Sequence, residues 1–311
     1  MDNSDIATRM KTYEQVSKQK LTSRMPLIIR IDGKAFHTVT RYLARPDLFL
    51  NVSMWATAAR LCREIQGCKL AYVQSDEVSL LLTDYDTLQT QAWFEKDLIK
   101  IVSVSASIAT LAFNASLNHI AQNYWDYIKG TCGVNDILPF EFGEDKTLSE
   151  YLEVALFDKA ERACFDPSTG RHIHYVDQVP FSITDWGHYD NVCNSALFDS
   201  RAFVVPKEDV CNYFIWRQQD ATRNAIQMQG QKYFSSKQLH KRTCKDIQEM
   251  LFQEKQINFD EFDVFIKRGV CLVKQNYDSE KNSQRSKWCV DFDIPIFTQN
   301  RKYIEKFVYI A

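Results

Sequence analysis

Two acid-bearing turns carry the chemistry that this sequence can do. The first closes Pro26–His37, which reads PLIIRIDGKAFH. Leu27, Ile28, Ile29 and Ile31 form a short apolar run with no room for a solvated side, the pattern of a strand inside a sheet. The run stops at Asp32-Gly33. Gly33 permits either a positive φ or a close backbone approach, so the strand can turn sharply and leave Asp32 at its C-terminal end. Sheets of α/β proteins often put their chemistry there, although Asp-Gly alone is also an ordinary turn. The second turn lies in Lys69–Thr83, KLAYVQSDEVSLLLT. Two apolar runs, Leu70–Val73 and Val78–Leu82, flank Gln74-Ser75-Asp76-Glu77, a hairpin with two acids at its tip.

One helical pattern separates the two turns. A β–α–β–β unit brings Asp32 and Asp76 to neighbouring sheet positions, about 4.8 Å apart. Two carboxylates and the carbonyl of Gly33 suit a pair of Mg²⁺ ions: hard cations take oxygen ligands, and ions about 3.5–4 Å apart clamp phosphoryl transfer. Asp32, Gly33 and Asp76 are therefore the expected metal ligands. Asp32 and Asp76 are the expected catalytic acids, with Glu77 as a third. Strand alternation points Glu77 away from Asp76 unless the turn bends. Ser75 contacts phosphate only under the same condition. Lys34, His37 and Arg41 can converge beside Asp32, where phosphates need cations and a histidine can meet a base. A solvated basic face explains the same spacing.

The elements that must position these residues follow from periodicity. Residues 1–25 read as a helix, with Met10, Tyr13, Val16 and Leu21 near helical spacing, packed on the sheet. Asp47–Gln66 is an amphipathic crossover helix stopped by Gly67. Trp93–Ile120 is a second long helix, and Lys100 is the one cation in its apolar middle. Such a lysine needs an anion or must snorkel. Ala196–Pro206 reads as a strand and Lys207–Gln229 as a helix whose polar side collects Arg217, Gln218, Asp220, Arg223 and Asn224. Gln231–Phe252 is the most basic stretch, with Lys232, Lys237, His240, Lys241, Arg242 and Lys245 beside Tyr233 and Phe234, suited to RNA or to a solvated helix face. Val264–Gln275 reads as a strand turning at Gly269, and Glu280–Lys287 as a polar linker.

The chain's 311 residues are 45% hydrophobic and 25% charged, enough for one or two cored domains. A net charge of −2 argues against non-specific nucleic-acid binding but not against a local basic patch. No apolar run in the sequence suggests a membrane span, and MDNSDIATRMKTYE lacks the apolar region of a signal peptide. The nine cysteines form no CxxC pair, which points to free thiols in a reducing cytoplasm. Cys164, His172 and His174 match no standard zinc spacing. Asp185, His188 and Asp190 read as a polar loop.

RIDGKAFH followed by AYVQSDEVSLLL resembles the tRNA-histidine guanylyltransferase family, and more closely its guanylyltransferase-like branch of template-dependent 3′–5′ polymerases. The resemblance covers most of the chain except residues 121–195. It implies an α+β fold: a polymerase-like palm with a ferredoxin-like β-α-β-β-α-β antiparallel sheet, a helical finger-like region and an irregular central segment. Residues 1–120 would form the palm core and 121–195 a central segment of unassigned role. Residues 196–311 would supply the remaining palm strand, RNA-handling helices and C-terminal segment. The activity implied is nucleotide addition to the 5′ end of tRNA with two Mg²⁺ ions, using ATP, GTP and other nucleoside triphosphates, in a homo-tetramer. Arg30, Lys34, Ala35, Phe36, His37, Ser75 and Lys100 would meet the nucleotide; Arg217, Arg223, Asn224, Lys237 and Lys241 would meet RNA. Two departures matter. Asp97 stands where guanylyltransferases often carry an arginine three residues before the lysine. Thr222-Arg223-Asn224-Ala225 replaces the histidine-led motif of dedicated histidine-tRNA enzymes. Three alternatives stay open: a dedicated guanylyltransferase, a GGDEF-type nucleotidyl cyclase (here Gln74-Ser75 stand where its Gly-Gly belongs), and a non-catalytic RNA-binding palm.

Overall fold

The computed structural model describes residues 3–41, 43, 47–128, 192–278 and 284–309, with a few positions between 129 and 191. Six strands make one antiparallel sheet: β1 (Leu27–Gly33), β2 (Cys68–Gln74), β3 (Glu77–Leu82), β4 (Phe198–Val204), β5 (Val270–Asp278) and β6 (Gln284–Asp291). Their order is β4-β1-β3-β2-β5-β6. The main helices are α1 (Asn3–Gln15), α2 (Leu48–Glu64), α3 (Leu98–Ile128), α4 (Lys207–Tyr233) and α5 (Cys244–Lys255). The run β1-α2-β2-β3-α3-β4 with spatial order 4-1-3-2 is the ferredoxin-like palm topology, and β5 and β6 extend it beyond β2.

Both faces of the sheet are covered, which is why its central strands show no solvated side. Leu27, Ile29 and Ile31 of β1 pack into the cluster shared with Trp55 and Leu61 of α2 and Ile101 and Phe113 of α3. Ile28 faces the other way, into a cluster with Leu70, Tyr72, Leu81 and Val210 and Phe214 of α4. Arg30 and Asp32 follow Ile28 at the strand's period of two and so lie on the α4 side. Asp47 starts α2 by accepting hydrogen bonds from the backbone of Phe49 and Leu50 at 2.9 and 3.0 Å.

Several local expectations are corrected. α1 ends at Gln15, and residues 5–20 are exposed rather than packed on the sheet; Tyr13 and Val16 are 63% and 86% accessible. The third helix begins at Leu98, not Trp93. Phe94, Glu95 and Lys96 hold φ of 48°, 51° and 60°, a left-handed turn that ends the periodic pattern. Buried Lys96 holds that turn, donating to the carbonyls of Thr22 and Met25 at 2.8 Å each and pairing with Asp84 at 3.1 Å. Val264–Arg268 is helical, because Gly269 separates it from β5. The expected linker at 280–287 overlaps β6, which pairs residue for residue with β5. Leu98–Asn123 is, by length and composition, apolar enough to cross a membrane, contrary to the sequence reading. In this fold Ala109, Phe113 and Leu117 of that helix are core residues. The described cysteines are free thiols. The readings of Cys164, His174, Asp185, His188, Asp190 and most of 121–195 fall outside the described residues.

Candidate active site

The sheet register builds the site. Asp32 pairs across with Glu77 of β3, and Gln74 pairs with Glu77 across the hairpin, so Ser75 and Asp76 form the hairpin tip beside the end of β1. The Gly33 N–H donates to the Asp76 carbonyl at 3.1 Å and ties the two tips together. Ser75 adopts φ 48°, a left-handed turn residue. Of the two freedoms offered by Gly33, the structure uses close approach. A Cβ there would lie 2.3 Å from the Phe36 ring, while the glycine's φ is not positive. Phe36 cannot easily yield, since its ring packs against Phe113 and Phe198 at 5.2 and 5.4 Å between centroids.

A cleft of about 370 Å³ opens at these tips. Asp32, Gly33, Ala35, Phe36, His37, Ser75 and Asp76 line it from the sheet side and Asn224 from α4. Burial, and then the neighbouring Asp32 charge, push the Asp76 carboxyl up to about 6. A buried acid whose proton affinity is raised beside a second carboxylate in a cleft marks a candidate functional arrangement rather than a turn signature. Sequence reasoning missed Asp47, Asn51 and Gln74, which also line the cleft. Asp47 carried a legible signal as an N-cap before an apolar run. Tyr189 donates to its second carboxylate oxygen.

Glu77 and Arg217 are placed differently from expectation. Glu77 is 4% accessible and does not line the cleft. Its Oε1 and Oε2 accept from Nε and Nη2 of Arg217, both at 2.7 Å, and Oε2 is 2.9 Å from Nε of Arg30. Strand pairing sends Glu77 into the α4 side of the sheet, where it is a buried counter-ion rather than a third acid in the cleft. Arg217, expected at an RNA surface, is 4% accessible and occupied by Glu77 and Asp220. Arg30 is half-buried and reaches Asp32 at 3.3 Å.

Lys100 is exposed, not in an apolar interior, and stands ten residues before Thr110. Thr110 accepts from the backbone N–H of Phe198, the partner of Gly33, so Lys100 lies about 15 Å down the helix from the level of the cleft. Lys34 is exposed and outside the lining. Arg223 is exposed and pairs with Asp220. Lys237 and Lys241 are exposed in the segment joining α4 to α5. Among the described residues no three His, Cys, Asp or Glu side chains gather as a metal cluster. The tip offers two carboxylates and a carbonyl instead.

The family model for tRNA-His guanylyltransferase matches residues 7–141. A bacterial tRNA-His guanylyltransferase (Thg1)-like protein in complex with ATP is 37% identical over 98% of this chain and 100% of its own, with a TM-score of 0.69. This chain belongs to the tRNA-histidine guanylyltransferase (Thg1) family. It is accordingly a nucleotidyltransferase, which removes the cyclase alternative. A bacterial Thg1-like protein in complex with GTP is 35% identical, covering 98% of this chain and 99% of that one, with a TM-score of 0.65. The Thg1 enzyme of Saccharomyces cerevisiae, at 17% identity, covers 93% of this chain and 98% of its own with a TM-score of 0.53 and shares the fold. Comparison with curated proteins gave no match.

Proposed function

We propose that this chain adds nucleotides in the 3′–5′ direction to the 5′ end of tRNA, copying the opposing strand to repair truncated ends. The observation that carries the reading is the pair Asp32 and Asp76 at the mouth of one cleft, the second with a raised proton affinity. The two nucleotide-bound relatives are Thg1-like proteins, which agrees with the branch read from the sequence. Thr222–Ala225, in place of a histidine-led motif, weighs in the same direction.

The donor set fits Mg²⁺, which takes one or two carboxylates beside substrate phosphates and water. Asp32, Asp76 and the Gly33 carbonyl would hold it, and two such ions would supply charge neutralisation at the reacting phosphate. The protein's own part is positioning. Gly33 and the hairpin tip fix the acids, and Ala35, Phe36, His37 and Ser75 border the space for ATP, GTP or another nucleoside triphosphate. Asn224 borders it from α4. The 5′-monophosphate is first joined to ATP with loss of pyrophosphate, or a 5′-triphosphate supplies the leaving group directly. The 3′-hydroxyl of the incoming nucleotide then forms the new ester as AMP or pyrophosphate departs.

Residues 1–120 with β4 form the catalytic palm on this reading, and Lys237 and Lys241 meet the tRNA backbone. A homo-tetramer would cover the apolar surface left by α1 and by Leu111 of α3, which is 60% accessible. Asp32→Asn and Asp76→Asn each abolish addition to a 5′-truncated tRNA while the chain stays folded. Turnover by either variant would overturn the assignment.

A further inference from the structure

We propose that Arg217 is a positioning residue for nucleotidyl transfer: through Glu77 it locks helix α4 to the acid-bearing hairpin and so sets the spacing of the cleft's two walls. The inference rests on the function proposed above. One wall is the tip of β1 and the β2–β3 hairpin, with Asp32 and Asp76; the other includes Ala221, Asn224, Ala225 and Met228 of α4. Arg217 lies seven residues before Asn224, two helical turns or about 10 Å below it on nearly the same side. Its planar fork grips both oxygens of Glu77 at 2.7 Å. Glu77 is the residue immediately after Asp76 and the cross-strand partner of Asp32.

The contacts around this pair hold it in one geometry. Arg217 Nη2 also donates to Asp220 at 3.1 Å, and its guanidinium lies 4.6 Å from the centre of the Trp216 ring. Glu77 Oε1 accepts from Ser79 at 3.3 Å, and Ser79 shares a 2.7 Å hydrogen bond with Tyr213, one turn before Arg217 on the same helix. Arg30 completes the chain, 2.9 Å from Glu77 and 3.3 Å from Asp32. A displacement of α4 therefore reaches both catalytic acids through charged, buried and geometrically strict links. No side chain in the pair touches the cleft, so their effect on chemistry runs through the acids they place.

The test uses the full chain with Arg217→Lys, Arg217→Met, Glu77→Gln and the Arg217→Met/Glu77→Gln double variant. We expect Arg217→Met and Glu77→Gln each to lower kcat for nucleotide addition by roughly 10–100-fold, the cost of a misplaced reacting group. KM for the nucleotide stays within about threefold, and the double variant is no slower than the poorer single, because both remove one coupling. Arg217→Lys, which keeps the cation but loses the fork, falls between and guards against loss of folding in Arg217→Met. Amide exchange over residues 74–78 accelerates in Arg217→Met and Glu77→Gln, and calorimetric binding of Mn²⁺ alone weakens in both, because the acids that would hold the ion are displaced. Parental kcat in Arg217→Met, multiplying losses in the double variant, or unchanged exchange at the tip would overturn the inference. An inactive parent chain would refute the proposed function instead, and the exchange and Mn²⁺ measurements would still judge the coupling.

Discussion

Gly33→Ala is the perturbation whose cost the structure specifies most directly. The added methyl would sit 2.3 Å from Cδ2 and 2.8 Å from Cγ of Phe36, inside any tolerable contact. Relief requires Phe36 to move, yet Phe36 is 7% accessible and wedged between Phe113 and Phe198. Overpacking a filled core costs about 1–3 kcal/mol, and the lack of an escape direction puts this site near 3. An unfolding entropy of about 2.1 cal/mol/K per residue gives a chain of 311 residues about 0.65 kcal/mol/K, so Tm falls by about 4–5 °C. Phe36→Leu alone costs about 1–2 kcal/mol through lost packing. Combined, the two changes cost less than their sum, since the smaller side chain vacates the space that the methyl needs. Thermal melts of the two single variants and the double variant measure this coupling. A Gly33→Ala protein that melts like the parent, or strictly additive losses, would refute the close-approach account of Gly33.

Asp76→Asn separates stability from activity. The native state binds the Asp76 proton more tightly than the unfolded chain, 3.8 rising to about 6. The parent therefore loses stability as pH rises through that window. Without divalent ions the variant gains about 3 kcal/mol at pH 7.5, from about 1.4 kcal/mol per pH unit, and nothing below pH ~3.8. Equal melts at pH 7.5 would contradict this. Lys96→Met leaves Asp84 buried without its ammonium and two carbonyls unpaired, and costs about 3–5 kcal/mol, a Tm loss of about 5–8 °C by differential scanning calorimetry. Lys237→Ala with Lys241→Ala leaves Tm unchanged and weakens tRNA binding. Its salt dependence becomes shallower by about 1–2 in log–log slope, as read in a filter-binding titration.

The parts legible in the sequence were those set by local rules. The apolar runs around Asp32 and Asp76 named three adjacent strands, the helix between them fixed a β–α–β–β order, and Gly33 announced a backbone under constraint. The parts that were not legible depend on partners distant in the chain. Arg217 looks like a helix-surface residue beside Asp220 because its real partner, Glu77, is 140 positions away. Lys100 attracted attention in an apolar helix, yet the buried lysine is Lys96, four residues earlier in a left-handed turn that helical periodicity cannot register. Val264–Arg268 is apolar enough for a strand, and only its backbone hydrogen bonds, such as Gly269 N–H to the Phe265 carbonyl, make it a helical turn. β6 is polar over 285–287 because these exposed positions need only pairing with β5, not burial.

The central claim is that nucleotide choice is dictated by the opposing strand. Its most direct test offers the enzyme a tRNA lacking its first nucleotide, labelled at the 5′ phosphate, with Mg²⁺, ATP and each nucleoside triphosphate in turn. Four versions of the tRNA differ only in the base opposite the gap. The account predicts that each template base draws its own Watson–Crick partner onto the 5′ end. Addition of guanosine alone, whichever base stands opposite, would contradict it and identify a dedicated histidine-tRNA guanylyltransferase.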